Sequence, residues 1–341
     1  MGSFMQEINS RFRVAFFGRG ELGYRVLSQL LDTPTLTVSV IITCSHTTEV
    51  GQGEINFKGI AQKYNIPFYK TNNINKSAWI KILNDCQIDL AVALLWVNTI
   101  QAEVIQTSRH GFLNLHGGLL PKYRGNPCQT WAILNGEPYT GVTVHLMEPG
   151  KLDSGDIILQ EKIPISEKST VKELIDTISD RGVHLMLKAV ELVRTGQANP
   201  QSQDESLALY CYPRLPRDGE IDWTKPSQEI LTLIRAAGKP YSGAYSYFAD
   251  MRDNNKIKKL TIWNAALEEN TINFCAVPGH LIKVDNGLKR AIVCGDKKLL
   301  VLLDIDIDGN LVNPHDFFHT VRQRFGLDTG TLIKTINELR K

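Results

Sequence analysis

Across the first hundred residues, short apolar runs alternate with stretches whose apolar residues recur at helical spacing, and few architectures accommodate that alternation. Residues 13–17 (Arg-Val-Ala-Phe-Phe) read as a buried strand, Gly18-Arg19-Gly20-Glu21-Leu22-Gly23 as a glycine-rich turn, and residues 21–31 as a helix. A strand over 38–43, a helix over 58–64, a short extended piece at 67–69, a helix over 77–84 and the apolar run 90–97 continue the series. Strands separated by helices pair in parallel, because the crossover carries the chain back to the same end of the sheet. Further strands at 111–115, 141–147 and 156–163 precede a long amphipathic helix over 170–195. The fold class is therefore α/β: a Rossmann-like, doubly wound, mostly parallel sheet.

From residue 197 to 205 the chain turns polar (Gln-Ala-Asn-Pro-Gln-Ser-Gln-Asp-Glu), which reads as a surface linker closing a first domain of residues 11–200. Beyond it a helix near 228–237 precedes strands at 243–248, 259–265, 280–284, 290–294 and 298–303, separated by turn residues. That spacing predicts a smaller antiparallel OB-like barrel over 206–310, followed by a helical tail over 311–341.

With 38 Lys+Arg against 36 Asp+Glu, the formal charge of +2 provides no field that would draw in nucleic acid or an anionic membrane. Neither is expected as a partner. The six cysteines stand singly, without the close pairs that zinc or a redox dithiol needs, so no metal is expected. Unpaired thiols and a start (1–11) without an apolar signal run point to the cytoplasm.

The glycine-rich turn has dinucleotide-fingerprint spacing, following a strand and opening a helix. The fingerprint also requires an acid at the tip of the second strand, and Thr43-Cys44-Ser45-His46 has none. A nicotinamide-dependent oxidoreductase thus lacks half its signature, and the glycines read equally well as close helix–strand packing.

Asn114 and His116 stand two apart at a strand end, so both side chains face the same side of the sheet. The loop that follows leaves the carboxyl edge, where open α/β sheets bind ligands. Further on, Leu152-Asp153-Ser154-Gly155-Asp156 forms a glycine-containing loop with two carboxylates, flanked by strands that can return it to the same edge. Asp-Ser-Gly also favours plain turns, but an Asp beside an imidazole would fix its tautomer and raise its basicity.

Asn114-Leu115-His116-Gly117-Gly118-Leu119-Leu120-Pro121, then Tyr123-Arg124-Gly125, then Leu152 to Asp156, resemble the signature of the formyl-tetrahydrofolate-dependent formyltransferases. Residues 212–223 and Pro240-Tyr241-Ser242-Gly243-Ala244 are similar to that family's second domain. The chain departs at Gly118, where relatives commonly carry serine. The resemblance implies N10-formyltetrahydrofolate as co-substrate, with His116 as base, Asn114 stabilising the oxyanion and Asp153 orienting His116. It implies a pterin slot between Leu94-Leu95-Trp96 and the loop from Glu148 through Gly150 to Asp153, with Leu119 and Asp156 at its edges. No nucleophilic Ser or Cys is required, and Cys128 reads as a helix residue.

The family's acceptors include the methionine on initiator tRNA, nucleotide-linked amino sugars and glycinamide ribonucleotide. A tRNA formylase carries a basic loop after the second strand, whereas residues 46–54 here hold no Lys or Arg and two acids. The 122–127 loop resembles the amino-sugar branch, which includes formylases of bacterial surface-sugar pathways such as pseudaminic-acid precursors; a related carry-over is the formylation module of some peptide synthetases. The preferred acceptor is a UDP- or dTDP-4-amino sugar, with Arg19, Gly118, Arg124, Asn126 and Gln129 as candidate contacts. Arg19 and Arg124 are the candidates for its diphosphate, their plainer reading being solvated surface charge. Methionyl-tRNA formyltransferase, an oxidoreductase and a non-catalytic folate or nucleotide binder stay open as alternatives, as does a homodimer.

Overall fold

The structure is a computed structural model describing residues 11–45, 53–268 and 273–327, with 330, 332–333 and 336–337 beyond them. Residues 1–10 and most of the acidic 46–54 loop lie outside the described residues.

The chain divides into two compact units. The first carries β1 (Phe12–Gly18), α1 (Gly20–Leu31), β2 (Leu36–Thr43), α2 (Glu54–Tyr64), β3 (Phe68–Lys70), α3 (Ser77–Asp85), β4 (Leu90–Leu94), α4 (Ala102–Ile105) and β5 (Phe112–His116). It continues with β6 (Arg124–Gly125), α5 (Cys128–Leu134), β7 (Tyr139–Leu146), β8 (Ile157–Pro164), α6 (Val171–Arg194) and β9 (Tyr210–Cys211). Seven strands form one sheet in the order β3-β2-β1-β4-β5-β7-β8. It is parallel from β3 to β5, then antiparallel through β7 and β8. Leu90 to Leu94 are fully buried because helices cover both faces, as a parallel sheet requires. Alternate side chains serve opposite faces: Phe16 stacks on Phe57, and Phe17 meets Trp96 and Phe112.

The glycine-rich turn is explained by packing. Gly20 sits at φ +71°, and a Cβ on Gly18 would lie 3.3 Å from the carbonyl oxygen of Leu94. The apolar run expected as strand through 97 ends at Leu94, because Leu95 adopts φ +53° and turns the chain out of the ladder.

The polar stretch after α6, expected as a surface linker, is mostly exposed but does not close the first unit. Gln201 exchanges backbone hydrogen bonds with Ile157, and β9 pairs in parallel with β6, so the first unit continues to Tyr212.

The second unit holds α7 (Ser227–Ala237) and the antiparallel strands β10 (Ala244–Asp250), β11 (Lys256–Leu267), β12 (Leu281–Val284), β13 (Lys289–Val293), β14 (Leu299–Ile307) and β15 (Asn310–Val312), then α8 (Pro314–Phe317). The strands run β10-β11-β14-β13-β12, with β15 on β14. Among the described residues no ladder joins β12 to β10, which makes this an open half-barrel. The tail expected to be helical from 311 begins with β15 and the four-residue α8, runs non-helically over 318–327, and is helical at the described residues 330, 332–333 and 336–337. Phe318 and Phe325 explain the difference: both pack on Phe248 inside the core, which an extended course permits.

Gly155 has no room for a side chain, since a Cβ there would lie 1.9 Å from the Leu146 carbonyl oxygen. Gly155→Ala is expected to cost about 1–3 kcal/mol as overpacking, read as a lowered denaturation midpoint. An unchanged midpoint would show that the loop shifts freely.

Candidate active site

The site forms where the sheet changes from parallel to antiparallel. β5 lies between β4 and β7, with Asn114 opposite Ala93 on one side and His145 on the other. His116 passes beyond the end of β4, and its β7 neighbour is Thr143. Asp153 comes from the β7–β8 connection at φ +49°, a left-handed conformation uncommon outside glycine, asparagine and aspartate.

The three expected residues meet at the Asp153 carboxylate. Oδ1 accepts from Asn114 Nδ2 at 3.2 Å, Oδ2 lies 3.4 Å from His116 Nδ1, and the Gly125 N–H donates to Oδ2 at 2.9 Å. His145, which the sequence reading did not single out, completes the cluster with Nε2 at 3.1 Å from Asn114 Nδ2 and 3.5 Å from Asp153 Oδ1. Cross-strand neighbours share a face, but the β5–β7 register that makes His145 a neighbour of Asn114 is invisible in the sequence.

Backbone carbonyls decide the tautomers, because they only accept. His116 Nε2 lies 2.7 Å from the Tyr123 oxygen, so Nε2 carries a hydrogen and Nδ1 faces the carboxylate. The partner that orients the ring is thus the Tyr123 carbonyl, while Asp153 shares the nitrogen left for proton transfer. His145 Nδ1 likewise donates to the Leu146 oxygen at 2.7 Å, leaving Nε2 to accept from Asn114 in the uncharged ring.

Burial lowers the His116 pKa from its ordinary value; Asp153 opposes that and His145 adds to it. Burial alone would raise the Asp153 carboxyl, but the imidazoles of His116 and His145 and the Gly125 N–H together hold it well below the usual range. The nearby thiols are inert: burial pushes Cys211 up to about 11 and Cys128 higher still.

Other expected contacts divide. Leu94 is fully buried, the Leu95 carbonyl accepts from Arg19 Nε at 2.7 Å, and Trp96 is half-buried with an indole N–H that has no hydrogen-bond partner among the described residues. Leu119 packs over Gly141, and Glu148 accepts from Ser154 at 2.8 Å beside Lys151. Gly150 turns at φ +70°, and the Asp156 carbonyl pairs with the Leu146 N–H. Asn126 is exposed, whereas Gln129 is buried and bound to the Gly117 carbonyl at 3.0 Å. Arg19 also donates to the Ser45 carbonyl at 2.9 Å. At Gly118 a Cβ would lie 2.9 Å from His116 Nε2, so serine there would require the ring to move.

Arg124 contradicts both sequence readings, diphosphate contact and solvated charge. Its side chain is 0% exposed and its guanidinium binds Glu205, Gln203 and the Tyr210 hydroxyl, the Glu205 bond foremost in raising its pKa. A composition-based reading cannot distinguish a surface arginine from one that the fold encloses.

Against known families, residues 12–190 match formyl transferase and residues 215–322 match the formyl transferase C-terminal domain. The chain belongs to the formyl transferase family. This formyl transferase is 31% identical over 304 residues to the bifunctional polymyxin resistance protein ArnA of Wigglesworthia glossinidia brevipalpis, covering 88% of this chain and 44% of that one. It is 32% identical over 236 residues to the methionyl-tRNA formyltransferase of Fusobacterium nucleatum subsp. nucleatum, covering 67% and 74%. It therefore spans less than half of the first relative and about three quarters of the second. An N-formyltransferase from Helicobacter canadensis, solved with folinic acid and dTDP-3-aminofucose, shares the fold at 17% identity and a TM-score of 0.60, covering 85% of this chain and 98% of that one. The family match makes this chain a formyl transferase, a one-carbon group transferase. Among the described residues, no three His, Cys, Asp or Glu side chains gather as metal ligands.

Because Asp153 raises the His116 pKa against burial, Asp153→Asn is expected to lower the His116 titration midpoint further. Histidine-resolved NMR against pH measures this, and a rise would refute the assigned contact.

Proposed function

We propose that this formyl transferase moves the formyl group of N10-formyltetrahydrofolate to the amine of a nucleotide-linked amino sugar of the UDP- or dTDP-4-amino type. The observation that carries the reading is the convergence of Asn114, His116 and His145 on the buried Asp153 carboxylate. As the amine nitrogen bonds to the formyl carbon, the carbonyl oxygen gains negative charge and the nitrogen sheds a proton. His116 Nδ1, beside Asp153, takes that proton and returns it to the departing folate nitrogen as the old C–N bond breaks. The Asn114 hydrogen now on Asp153 Oδ1 is the one a formyl oxygen would take, an interaction worth about 2.7–4 kcal/mol in comparable acyl transfers. Leu95 and Trp96 with the Glu148 to Asp153 loop supply the pterin slot, to which the fully buried Leu94 contributes only support, and the Trp96 N–H, unpartnered among the described residues, fits a ligand acceptor there.

The amino-sugar acceptor is supported by the acidic, cation-free sequence of residues 46–54 and by the fold shared with a relative that binds dTDP-3-aminofucose. The similarity to methionyl-tRNA formyltransferase favours charged initiator tRNA as the second reading. Both acceptors are tested by product mass after incubation with formyl donor and either UDP- and dTDP-amino sugars or methionyl-tRNA. Formylation of the tRNA alone would sink the sugar reading.

His116→Ala and Asp153→Asn are expected to abolish turnover in folded protein, and near-normal rates in either would refute the mechanism. Since burial lowers the His116 pKa and the free base is the active form, activity rises with pH through that lowered value. The acid limb of kcat/KM should therefore fall below the ordinary imidazole value of about 6.5.

A further inference from the structure

The two family segments leave residues 191–214 between them, and this stretch reaches into the catalytic loops. Gln203 Nε2 donates to the carbonyls of Asp153 at 2.9 Å and Gly155 at 2.7 Å. Its Oε1 accepts from Arg124 Nε at 3.2 Å and Nη2 at 2.8 Å. All four hydrogen-bonding positions of one side-chain amide are thus filled. Nearby, Arg124 holds Glu205 and Tyr210, and its backbone N–H donates to the Leu209 carbonyl at 2.8 Å.

This placement bears on the carboxylate. Asp153 sits at φ +49°, a conformation that persists only where its surroundings impose it, and Gln203 grips the carbonyl of that residue. The Asp153 carboxylate is held by the N–H of Gly125, the residue after Arg124. Gln203 therefore ties together the two loops that fix the carboxylate, one through its NH2 group and the other through its oxygen.

We propose that Gln203 is a positioning residue, which joins the Asp153 loop to Arg124 and so sets the reach of the carboxylate to His116 Nδ1. The segment outside the matched catalytic region thereby completes the site. Its effect on turnover rests on the formyl-transfer reading, whereas its effect on His116 is independent of any substrate.

The test uses the full chain with Gln203→Met, which keeps length but makes none of the four bonds, and Gln203→Asn, one methylene too short to span both loops. The charged and titratable groups acting on His116 are Asp153 and His145, of which Asp153 raises its pKa. Loosening the carboxylate is expected to lower the His116 midpoint by NMR in both variants. It should also reduce kcat at least about tenfold, with KM for donor and acceptor within about twofold. A folded variant with an unmoved midpoint overturns the proposal whatever its kcat, as does loss of folding in both variants, which would make the role purely structural. A lowered midpoint in a protein that formylates none of the acceptors keeps the positioning role and removes the formyl-transfer reading.

Discussion

Everything at the β5–β7 edge follows from keeping one carboxylate charged while 11% of its side chain is exposed. Burial removes most of the water that would solvate Asp153, and an uncompensated buried charge would neutralise itself by taking a proton. The protein answers with a backbone N–H from Gly125, an amide hydrogen from Asn114 and two imidazoles. These groups come from β5, from β7 and from the loop between them. The carboxylate is consequently the point on which β5, β7, the loop after β5 and the loop after β7 must agree.

That agreement also explains the close backbone packing nearby. The chain carrying Asp153 has to pass so near Leu146 that only glycine fits at position 155, and Gly118 leaves room for the His116 ring to reach the Tyr123 carbonyl. A charged pair exposed to solvent would need none of this, because water would absorb errors of an ångström. In a dry site the donors must be placed beforehand, and the cost of placing them is met in folding.

The sheet and the shared face of Asn114 and His116 were legible because their signals are local, whereas Asp153 was reached through the family resemblance. Apolar runs such as Leu90 to Leu94 announce a buried strand, and the Asn114/His116 spacing announces a shared face. His145 was not legible, since its role depends on register with a strand thirty residues away. Arg124 was misread because a charged side chain looks the same in sequence whether solvent or Glu205, Gln203 and Tyr210 surround it. The 197–205 stretch was misread for the same reason, as its polar groups serve hydrogen bonds inside the first unit. Over 318–325 of the tail, aromatic residues drawn into the half-barrel core overrode a local helical appearance, whereas the described residues beyond 327 are helical.

The enclosed Arg124 carries an implication for how such a chain can diverge. Its guanidinium is shared among Gln203, Glu205 and Tyr210, which lie some eighty positions away in a region of the kind usually free to gain and lose residues. A one-residue insertion between 203 and 210 would throw these partners out of phase with the arginine and strand a buried cation. Length variation after α6 is therefore admissible only outside that short window, and substitutions at 124, 203 and 205 are expected to be inherited together.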